Sequence, residues 1–408
     1  MNYILIFTGI KNRNRLVTGM KKIVFVFFSL ILPLICNAGN HLNPFISLSD
    51  STLNLITQYY TSNEIENTFN ETYPVNPKNN ATYVVGQDTL SKKRVAYLWP
   101  TSGVFSGVVA LILNTKDVRY RNMLDTKIIP GLEMYFDTTR TPVCYQSYIA
   151  LDGKSNRYYD DNVWLAIEFA QLALSTKDKK YLDKAEQIWK FVISGWDSKL
   201  GGGIYWCEQE KKSKNTCSNA PSVVAAAKLY EATGNVVYLN WAKKIYAWTK
   251  LNLQDKSDFL YYDNISLNGK VARAKYAYNS GQMLQGAALL YKITKEKSYL
   301  TDAHQIAGSA LTYFTQDIVR DGKNYRVFKQ KGAWFVTVLS RGYFELYAID
   351  KDPQYVNFFK TTMEYIKQYA RYDNGLFYGD WSGSKPDKFK WLLDQGCIVE
   401  LSANLGGI

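Results

Sequence analysis

A short signal, Thr-x-(Asp, Glu or Asn)-x-x-Tyr, recurs along the 408-residue chain at a nearly fixed period. Its matches are TKDVRY at 115–120, TKDKKY at 176–181, TGNVVY at 233–238 and TKEKSY at 294–299, with a looser copy, DKDPQY, at 350–355. The tyrosines are therefore spaced by 61, 57, 61 and 56 residues. Because one such unit cannot bury its apolar face alone, repeats of this kind stack into an array or close into a ring.

The segments on the two sides of the signal differ in kind. Those before it, such as NVWLAIEFAQLAL and GQMLQGAALLYKI, are small and apolar around most of their circumference, which is typical of fully buried helices. Those after it are one-sided: in LDKAEQIWKFVI, Leu182, Ala185 and Ile188 form a helical stripe against lysines and acids. Each unit is therefore predicted to be an inner helix, a tight turn and an outer helix.

Gly/Asp/aromatic segments such as YYDNISLNGKV and VRDGKNYRV connect the units and predict β-hairpin-like loops at one rim. Further inner helices are expected after YLWPTSG and at WLLDQGCIVELSANL, which makes six. The segment SLSDSTLNLITQYYTSNEIENTF would be the outer partner of the last one and close the circle. The sequence thus predicts an all-α fold, an (α/α)6 toroid of six helical hairpins, with residues 39–408 as a single domain. In such a ring the inner helices start at the same rim, so their N-terminal ends converge on one funnel.

Residues 1–38 are predicted to be an upstream extension followed by a secretory signal peptide. The segment MKKIVFVFFSLILPLICNAG begins at Met20 and combines two lysines, a short apolar run and a small-residue cleavage site before Gly39. The run is too short for a comfortable membrane span, so no stable membrane insertion is expected after cleavage. Lipid attachment at Cys36 is disfavoured because the bulky Ile35 precedes it. We expect export to the periplasm or beyond the cell.

The formal net charge of +13 falls to +8 once the five basic residues of 1–38 are removed. The remaining basic residues are scattered along polar helix faces, as in TKDKKYLDKAEQ, which indicates solvated surfaces rather than a nucleic-acid site. Weak attraction to an acidic or phosphorylated polymer is compatible with this charge.

The chain has only two histidines, His41 and His304, which disfavours a histidine-based triad and a multi-histidine zinc site. Any chemistry is therefore expected from carboxylates, and no cofactor is predicted. Cys207 and Cys217 flank a short loop; a disulfide between them and free buried thiols both fit the sequence.

Two consecutive aspartates, Asp160 and Asp161, stand where the second inner helix begins, in YYDDNVWLAIEFAQLALS. Helix capping accounts for one of them, since an N-cap Asp stabilises a first turn by about 0.3–1 kcal/mol. A second one adds repulsion that capping does not require. Glycoside hydrolysis, in contrast, needs one carboxylate nucleophile and one carboxylic acid. Adjacent helical residues diverge by about 100°, and mutual repulsion would raise the pKa of one carboxyl.

Other candidates for sugar contacts lie at equivalent rim positions or beside the pair, with capping or core packing as the alternative for each. They are Tyr159, Asn162, Trp99, Trp206, Asn215, Asn219 and Gln282. Tyr261, Tyr262 and Asp263 repeat the YYD of the paired element and are interpreted as a rim turn, with a sugar subsite as the alternative.

Four stretches resemble glycoside hydrolase family 76: YYDDNVWLAIEFA, GGGIYW at 201–206, KNTCSNAPSVVAAAKLYEATG at 214–234 and YNSGQMLQGAALLYKIT at 278–294. The resemblance covers most of residues 95–400. It implies an (α/α)6 α-1,6-mannanase that uses the consecutive aspartates, without a metal, and retains the anomeric configuration. Carried over, Asp160 would be the nucleophile and Asp161 the acid/base.

Three other interpretations were weighed. A toroid lyase or unsaturated glucuronyl hydrolase is disfavoured by the scarcity of histidine, and a non-catalytic glycan-binding or cell-wall protein by the intact aspartate pair. Transglycosylation stays an alternative, although the C-terminal VELSANLGGI shows no lipid-anchor signal. The prediction is an exported, endo-acting, retaining α-mannan hydrolase that works as a monomer on mannan polysaccharide or oligosaccharide.

Overall fold

The computed structural model describes residues 43–76, 94–329 and 331–408. The predicted leader at 1–38, with Cys36, lies outside the described residues. Within them, the helices are α1 (Pro44–Tyr60), α2 (Leu98–Asn114), α3 (Val118–Met123), α4 (Ile129–Glu133), α5 (Tyr159–Thr176), α6 (Lys179–Ser194), α7 (Thr216–Thr233), α8 (Val236–Leu253), α9 (Ala277–Thr294), α10 (Lys297–Phe314), α11 (Ala333–Asp350), α12 (Pro353–Tyr369) and α13 (Leu392–Gly407). A π-helical turn at Leu124–Ile128 joins α3 and α4 into one outer helix.

The inner helices α2, α5, α7, α9, α11 and α13 each pack against the next, and α13 returns to pack against α2. The outer helices α6, α8, α10 and α12 each follow and cover the inner helix before them. The N-terminal helix α1 packs against α13, as the outer partner of the last inner helix. The (α/α)6 toroid predicted from the repeat is confirmed, including the way in which the circle closes.

The recurrent signal forms the joint between an inner and an outer helix. At the end of α5, the Thr176 hydroxyl donates to the Leu172 carbonyl (2.7 Å) and accepts from the Asp178 amide (3.3 Å). Lys177 takes a left-handed conformation with φ of 58°, which stops the helix. The Asp178 carboxylate then caps α6 by accepting from the Lys180 amide at 3.1 Å. The same bonds recur at the Thr233 joint.

The tyrosine of the signal ties its outer helix to the outer helix before it. In three repeats its hydroxyl donates to a carboxylate on that neighbour. The bonds run from Tyr120 to Asp50 at 2.7 Å, from Tyr181 to Asp125 at 2.8 Å and from Tyr238 to Glu186 at 2.8 Å. The signal therefore repeats in the sequence because these copies make the same contact with the preceding outer helix of the ring.

The rim loops form short antiparallel pairs at the end where the inner helices begin. The strands are β1 (Thr72–Tyr73), β2 (Phe136–Asp137), β3 (Cys144–Tyr145), β4 (Ser213–Asn215), β5 (Tyr262–Ser266), β6 (Val271–Lys275), β7 (Thr315–Arg320), β8 (Lys323–Phe328) and β9 (Lys390–Trp391). The predicted hairpins at YYDNISLNGKV and VRDGKNYRV are confirmed as β5–β6 and β7–β8. β4 adds to β5, and β1 pairs with β9.

A charged cluster lies on the axis of the ring. Arg341 on α11 reaches Glu400 on α13 and Glu168 on α5, and Glu168 also accepts a 2.9 Å bond from the Ser106 hydroxyl on α2. All these side chains are buried. Burying charge is tolerated here because Glu400 accepts two bonds from Arg341, and Glu168 has Arg341, Ser106 and Gln171 as partners. The cluster joins four of the six inner helices.

The four cysteines within the described residues are free, buried thiols, so Cys207 and Cys217 are not bonded to each other. In the part of the chain that the structure describes, no helix combines the length and apolarity needed to cross a membrane.

Candidate active site

A cavity of about 370 Å³ opens where the inner helices begin. Its wall draws on the first turns of α2, α5, α7, α9 and α11 and on the loops that precede them. The lining residues are Tyr97, Trp99, Ser147, Tyr158, Asp160, Asp161, Trp164, Trp206, Ser213, Asn215, Cys217, Asp263, Asn264, Tyr276, Tyr278, Trp334 and Phe335. The convergence of the inner-helix ends thus produces a deep, mainly aromatic pocket that contains the aspartate pair.

Neither aspartate of the pair caps the helix. The N-cap position of α5 belongs to Tyr158, which makes no side-chain capping bond, and the two aspartates follow inside the first turn. Neither aspartate occupies the N-cap position, although both lie in the first turn, where negative charge is favourable. A first-turn position does not by itself require two adjacent carboxyls.

The Asp160 carboxylate is held by two donors. Its Oδ2 accepts from the Trp206 indole Nε1 at 2.8 Å, and its Oδ1 accepts from the Asp161 backbone amide at 3.0 Å. Cys217 lines the same cavity. Burial raises the pKa of Asp160 to about 6, against the lowering effect of these hydrogen bonds. The group is thus an oriented carboxylate that is ionised at neutral pH.

Asp161 has a different environment in the same cavity. Burial, and then the negative charge of Asp160, hold the pKa of Asp161 well above its usual range. Asp161 is therefore the member of the pair that keeps its proton. Two adjacent carboxyls with opposite protonation preferences are the arrangement that acid/nucleophile chemistry needs.

The segment 196–215 carries Trp206 to the pair. The Tyr159 amide donates to the Trp206 carbonyl at 2.9 Å, and Tyr158 and Cys207 form an antiparallel bridge. These backbone contacts tie the segment to the start of α5, which fixes the indole beside Asp160.

Asp263 is a third carboxyl on the cavity wall, contributed by β5. It accepts a 2.8 Å bond from the Asn264 side-chain amide, and burial raises its pKa. Asp263 lies at the rim, as one of the two sequence interpretations predicted. Its side chain also lines the cavity.

Of the predicted sugar contacts, Trp99, Trp206 and Asn215 lie on the cavity wall. Trp99 packs edge-on against the rings of Trp334 and Trp391, with centroids 6.3 and 5.3 Å apart. These three positions precede or begin inner helices, as the sequence suggested.

Asn162 and Asn219, which were predicted to contact sugar, are not among the residues that line the cavity. Each is fully buried and clamps a rim segment through a pair of bonds to one backbone residue. Asn162 accepts from the Tyr145 amide (2.9 Å) and donates to the Tyr145 carbonyl (2.8 Å). Asn219 does the same with Ile204, at 2.7 and 2.8 Å. Their amides are used by the fold and do not face a substrate.

Tyr159 and Gln282 are also placed away from the cavity. The Tyr159 ring stacks on Phe191 of α6 with centroids 4.7 Å apart, because the first residue of α5 faces outward to the outer helix. Gln282 is fully buried on α9, where its amide donates to Gln285 at 2.9 Å. Both side chains belong to the packing between helices.

Sequence reasoning did not select several wall residues, among them Tyr276, Tyr278, Trp334, Phe335 and Cys217. Each stands at or just before an inner-helix start, so the rule that selected Trp99 and Asn215 would also have found them. Residues at the start of an inner helix thus line the cavity in several repeats of the ring.

The fold is thus a ring of six helical hairpins with two adjacent carboxyls in the cavity at its mouth. The sequence model of glycosyl hydrolase family 76 matches residues 49–404. The chain belongs to this family.

Solved structures share the fold over most of the chain. The family 76 mannosidase Bt3792 from Bacteroides thetaiotaomicron is 32% identical with a TM-score of 0.81, over 89% of this chain and 98% of that one. A structure of an inactive α-1,6-mannanase variant, GH76A of Salegentibacter sp. HEL1_6, with two aspartates replaced by asparagine and α-1,6-mannotriose bound, is 23% identical with a TM-score of 0.71, over 89% and 99%. At that identity the second likeness shows the fold alone.

Among curated proteins, the mannan endo-1,6-alpha-mannosidase DCW1 of Saccharomyces cerevisiae is 27% identical over 218 residues, which is 48% of this chain and 49% of that protein. The chain spans about half the length of the curated relatives it matches.

Proposed function

We propose that the protein is an exported, endo-acting glycoside hydrolase that cleaves α-1,6-mannosidic bonds in α-mannan with retention of configuration. The observation that carries the proposal is the asymmetry of the pair. Asp160 is hydrogen-bonded as a carboxylate, whereas burial and the charge of Asp160 keep Asp161 protonated. The names of the relatives, mannosidases and mannan endo-1,6-alpha-mannosidases, support the choice of sugar and linkage.

In the proposed mechanism, an Asp160 oxygen attacks the anomeric carbon while Asp161 gives its proton to the departing glycosidic oxygen. The bond to the leaving sugar breaks as the bond to Asp160 forms. Asp161, now a carboxylate, takes a proton from a water molecule that attacks the same carbon and releases Asp160. Two displacements at one carbon restore the original configuration. Every proton is returned, so no cofactor enters the cycle.

The cavity wall is suited to hold a sugar for this reaction. Trp99, Trp206 and Trp334 offer aromatic faces of the kind that stack on pyranose rings, and the Asp263 carboxylate can accept from sugar hydroxyls. The aromatic walls surround the two carboxyls, and a sugar bound between them would displace water from the site.

The test compares the parent with Asp160→Asn and Asp161→Asn on unbranched α-1,6-mannan. Asp183→Asn serves as the matched control, because Asp183 is exposed on α6 and pairs only with Lys179 nearby. We expect a ladder of oligosaccharides from the parent and the control and none from either cavity variant. NMR identifies the anomer that is formed first, and an α-anomer shows that the configuration is retained. A parent that binds mannan without cutting it would overturn the hydrolase proposal in favour of a glycan-binding protein.

The roles within the pair are separated by an aryl α-mannoside with a good leaving group. Such a substrate does not need the acid, so Asp161→Asn should still release the aryl group in a first turnover while Asp160→Asn should not. The reverse pattern would exchange the two roles. Longer mannosyl products in place of hydrolysis products would indicate transglycosylation.

Export and domain extent are part of the proposal. We expect the secreted protein to begin at Gly39, which N-terminal sequencing would show, and residues 39–408 to unfold in one transition. An unprocessed N-terminus in the cell lysate would contradict export.

A further inference from the structure

We propose that Trp206 is a positioning residue for the nucleophile: the edge of its indole fixes the orientation of the Asp160 carboxylate, a role separate from any stacking of its ring face on a sugar. The inference rests on the proposed function, because it takes Asp160 as the group that attacks the sugar. The contact that carries it is the 2.8 Å hydrogen bond from the indole Nε1 to the Asp160 Oδ2.

The two bonds to Asp160 reach different oxygens of its carboxylate. The amide of Asp161, the next residue on the same helix, binds Oδ1, whereas the Trp206 indole binds Oδ2 from a separate segment of the chain. With a donor on each oxygen the plane of the carboxylate is fixed, whereas the Asp161 bond alone would let it turn about that contact. An indole N–H can only donate, so it also favours the ionised form of Asp160 against the opposing effect of burial. The same contact therefore sets both the direction and the charge of the attacking group.

The Trp206 ring is itself held in place by its surroundings. It packs against the Tyr158 ring, with centroids 5.1 Å apart. Earlier in the same segment, Gly203 has φ of 86° and lies so close to α8 that a Cβ there would be 2.5 Å from the Trp248 ring. The Trp248 indole also donates to the Leu200 carbonyl at 2.9 Å. The segment is thus docked on an outer helix before it reaches the carboxylate, so the donor is in place before a sugar binds.

Other titratable groups surround Asp160 and are unchanged in a variant that lacks only the indole N–H. They are Asp161 on α5, Asp263 on β5, Cys217 on α7, Tyr278 on α9, Cys207 in the segment 196–215, and Tyr97, Tyr158 and Tyr276 on the cavity wall. The negative charge of Asp160 acts on Asp161. The titration below is therefore run in an Asp161→Asn background, where one carboxyl of the pair remains.

The first measurement needs no substrate. An NMR titration of carboxyl-labelled aspartate follows Asp160, whose signal is identified by its absence in Asp160→Asn. We expect a midpoint near 6 when the indole is present. Trp206→Phe should raise the midpoint by about one pH unit, because the buried carboxylate loses a donor that favours its charged form. Trp189→Phe, which removes a buried indole on α6 that does not line the cavity, is the control and should leave the midpoint unchanged.

A sharper variant replaces Trp206 by benzothienylalanine, which exchanges the indole N–H for sulfur and keeps both rings. This exchange should raise the midpoint as Trp206→Phe does. In a protein that is otherwise unchanged, it should lower kcat on α-1,6-mannan about tenfold with little change in KM, because the ring face is kept. The acid limb of kcat should move with the NMR midpoint.

A parent-like midpoint in the benzothiophene variant would overturn the proposal. If KM then rises in Trp206→Phe, the residue is a stacking platform only. If Trp206→Phe does not fold, the benzothiophene exchange decides, since it preserves the shape of the side chain. A raised midpoint in a protein that cuts no mannan would keep the positioning role and reject the mannanase.

Discussion

Arg341 and Glu400 form two hydrogen bonds on the axis of the helical ring, 2.6 Å from Nε and 2.8 Å from Nη2. The same guanidinium lies 3.1 Å from a Glu168 oxygen and 5.8 and 5.5 Å from the ring centroids of Trp164 and Trp334. Because both tryptophans line the cavity, the ion cluster packs against part of the wall of the candidate active site.

Replacing Arg341 by Met should destabilise the protein by about 3–5 kcal/mol, because two buried carboxylates lose their partner. Urea unfolding measures the change. Adding Glu168→Gln and Glu400→Gln to Arg341→Met should recover part of the loss, since no buried charge is then left unpaired. The control is Arg326→Met, which breaks an exposed pair with Asp317 and should leave stability nearly unchanged, because water screens such a pair. Equal losses in the two arginine variants would contradict the burial argument.

The pH profile of kcat/KM should be bell-shaped. Asp160 acts ionised, so activity falls as the pH drops through its pKa of about 6. Asp161 acts protonated, so activity falls again as the pH rises through its more strongly raised pKa. In Asp161→Asn, assayed on an activated aryl mannoside, only the acid limb should remain. A basic limb that persists in that variant would assign it to another group.

The Asn219 clamp should be needed for the segment that carries Trp206. In Asn219→Ala the Ile204 amide and carbonyl lose buried partners, which should cost about 3 kcal/mol. Hydrogen exchange should rise within 196–215 and kcat should fall. Asn252→Ala, which removes a single bond to the Trp248 carbonyl on the half-buried face of α8, should leave both nearly unchanged. Parent-like exchange in Asn219→Ala would show that other contacts hold the segment.

Three of the helix joints place a lysine where glycine is the favoured residue. Lys177, Lys295 and Lys351 have φ near 60°, and Gly234 fills the equivalent position in a fourth joint. Each Lys→Gly change should stabilise the protein by about 0.5–1 kcal/mol, since relief of left-handed strain exceeds the added entropy of the unfolded chain. Thermal unfolding measures the gain. Lys190→Gly, within α6, should instead destabilise by about 1 kcal/mol. If Lys190→Gly also raised stability, the cause would be the loss of positive charge and not the relief of backbone strain.

The ring was predictable from the sequence because the residues that repeat along the chain make the same local hydrogen bonds in several repeats. Thr176, Asp178 and Tyr181 each make a bond that can be recognised from residue type and spacing alone. The aspartate pair was predictable for a similar reason: two adjacent carboxyls at a helix start are hard to explain by capping.

The sequence predicted less well which neighbours of the Asp160/Asp161 pair line the cavity. Successive helical residues point about 100° apart, so the rotation of α5 about its own axis decides that Asp160 faces the cavity and Tyr159 faces Phe191. That rotation is set by packing against α2, α6 and α7. The bond from the Trp206 indole to Asp160 joins residues that lie far apart in the sequence, and no local pattern predicts it.

The joints built on Thr-x-Asp lie at the ends of the inner helices, whereas the cavity lies at their beginnings. Changes at the tips of the hairpins β5–β6 and β7–β8 can therefore leave these joints undisturbed, whereas the bodies of the hairpins also hold neighbouring segments, as where β5 pairs with β4. One face of the ring closes the circle, and the other can vary at the tips of its loops. Rim variants can thus be made with the opposite face left untouched.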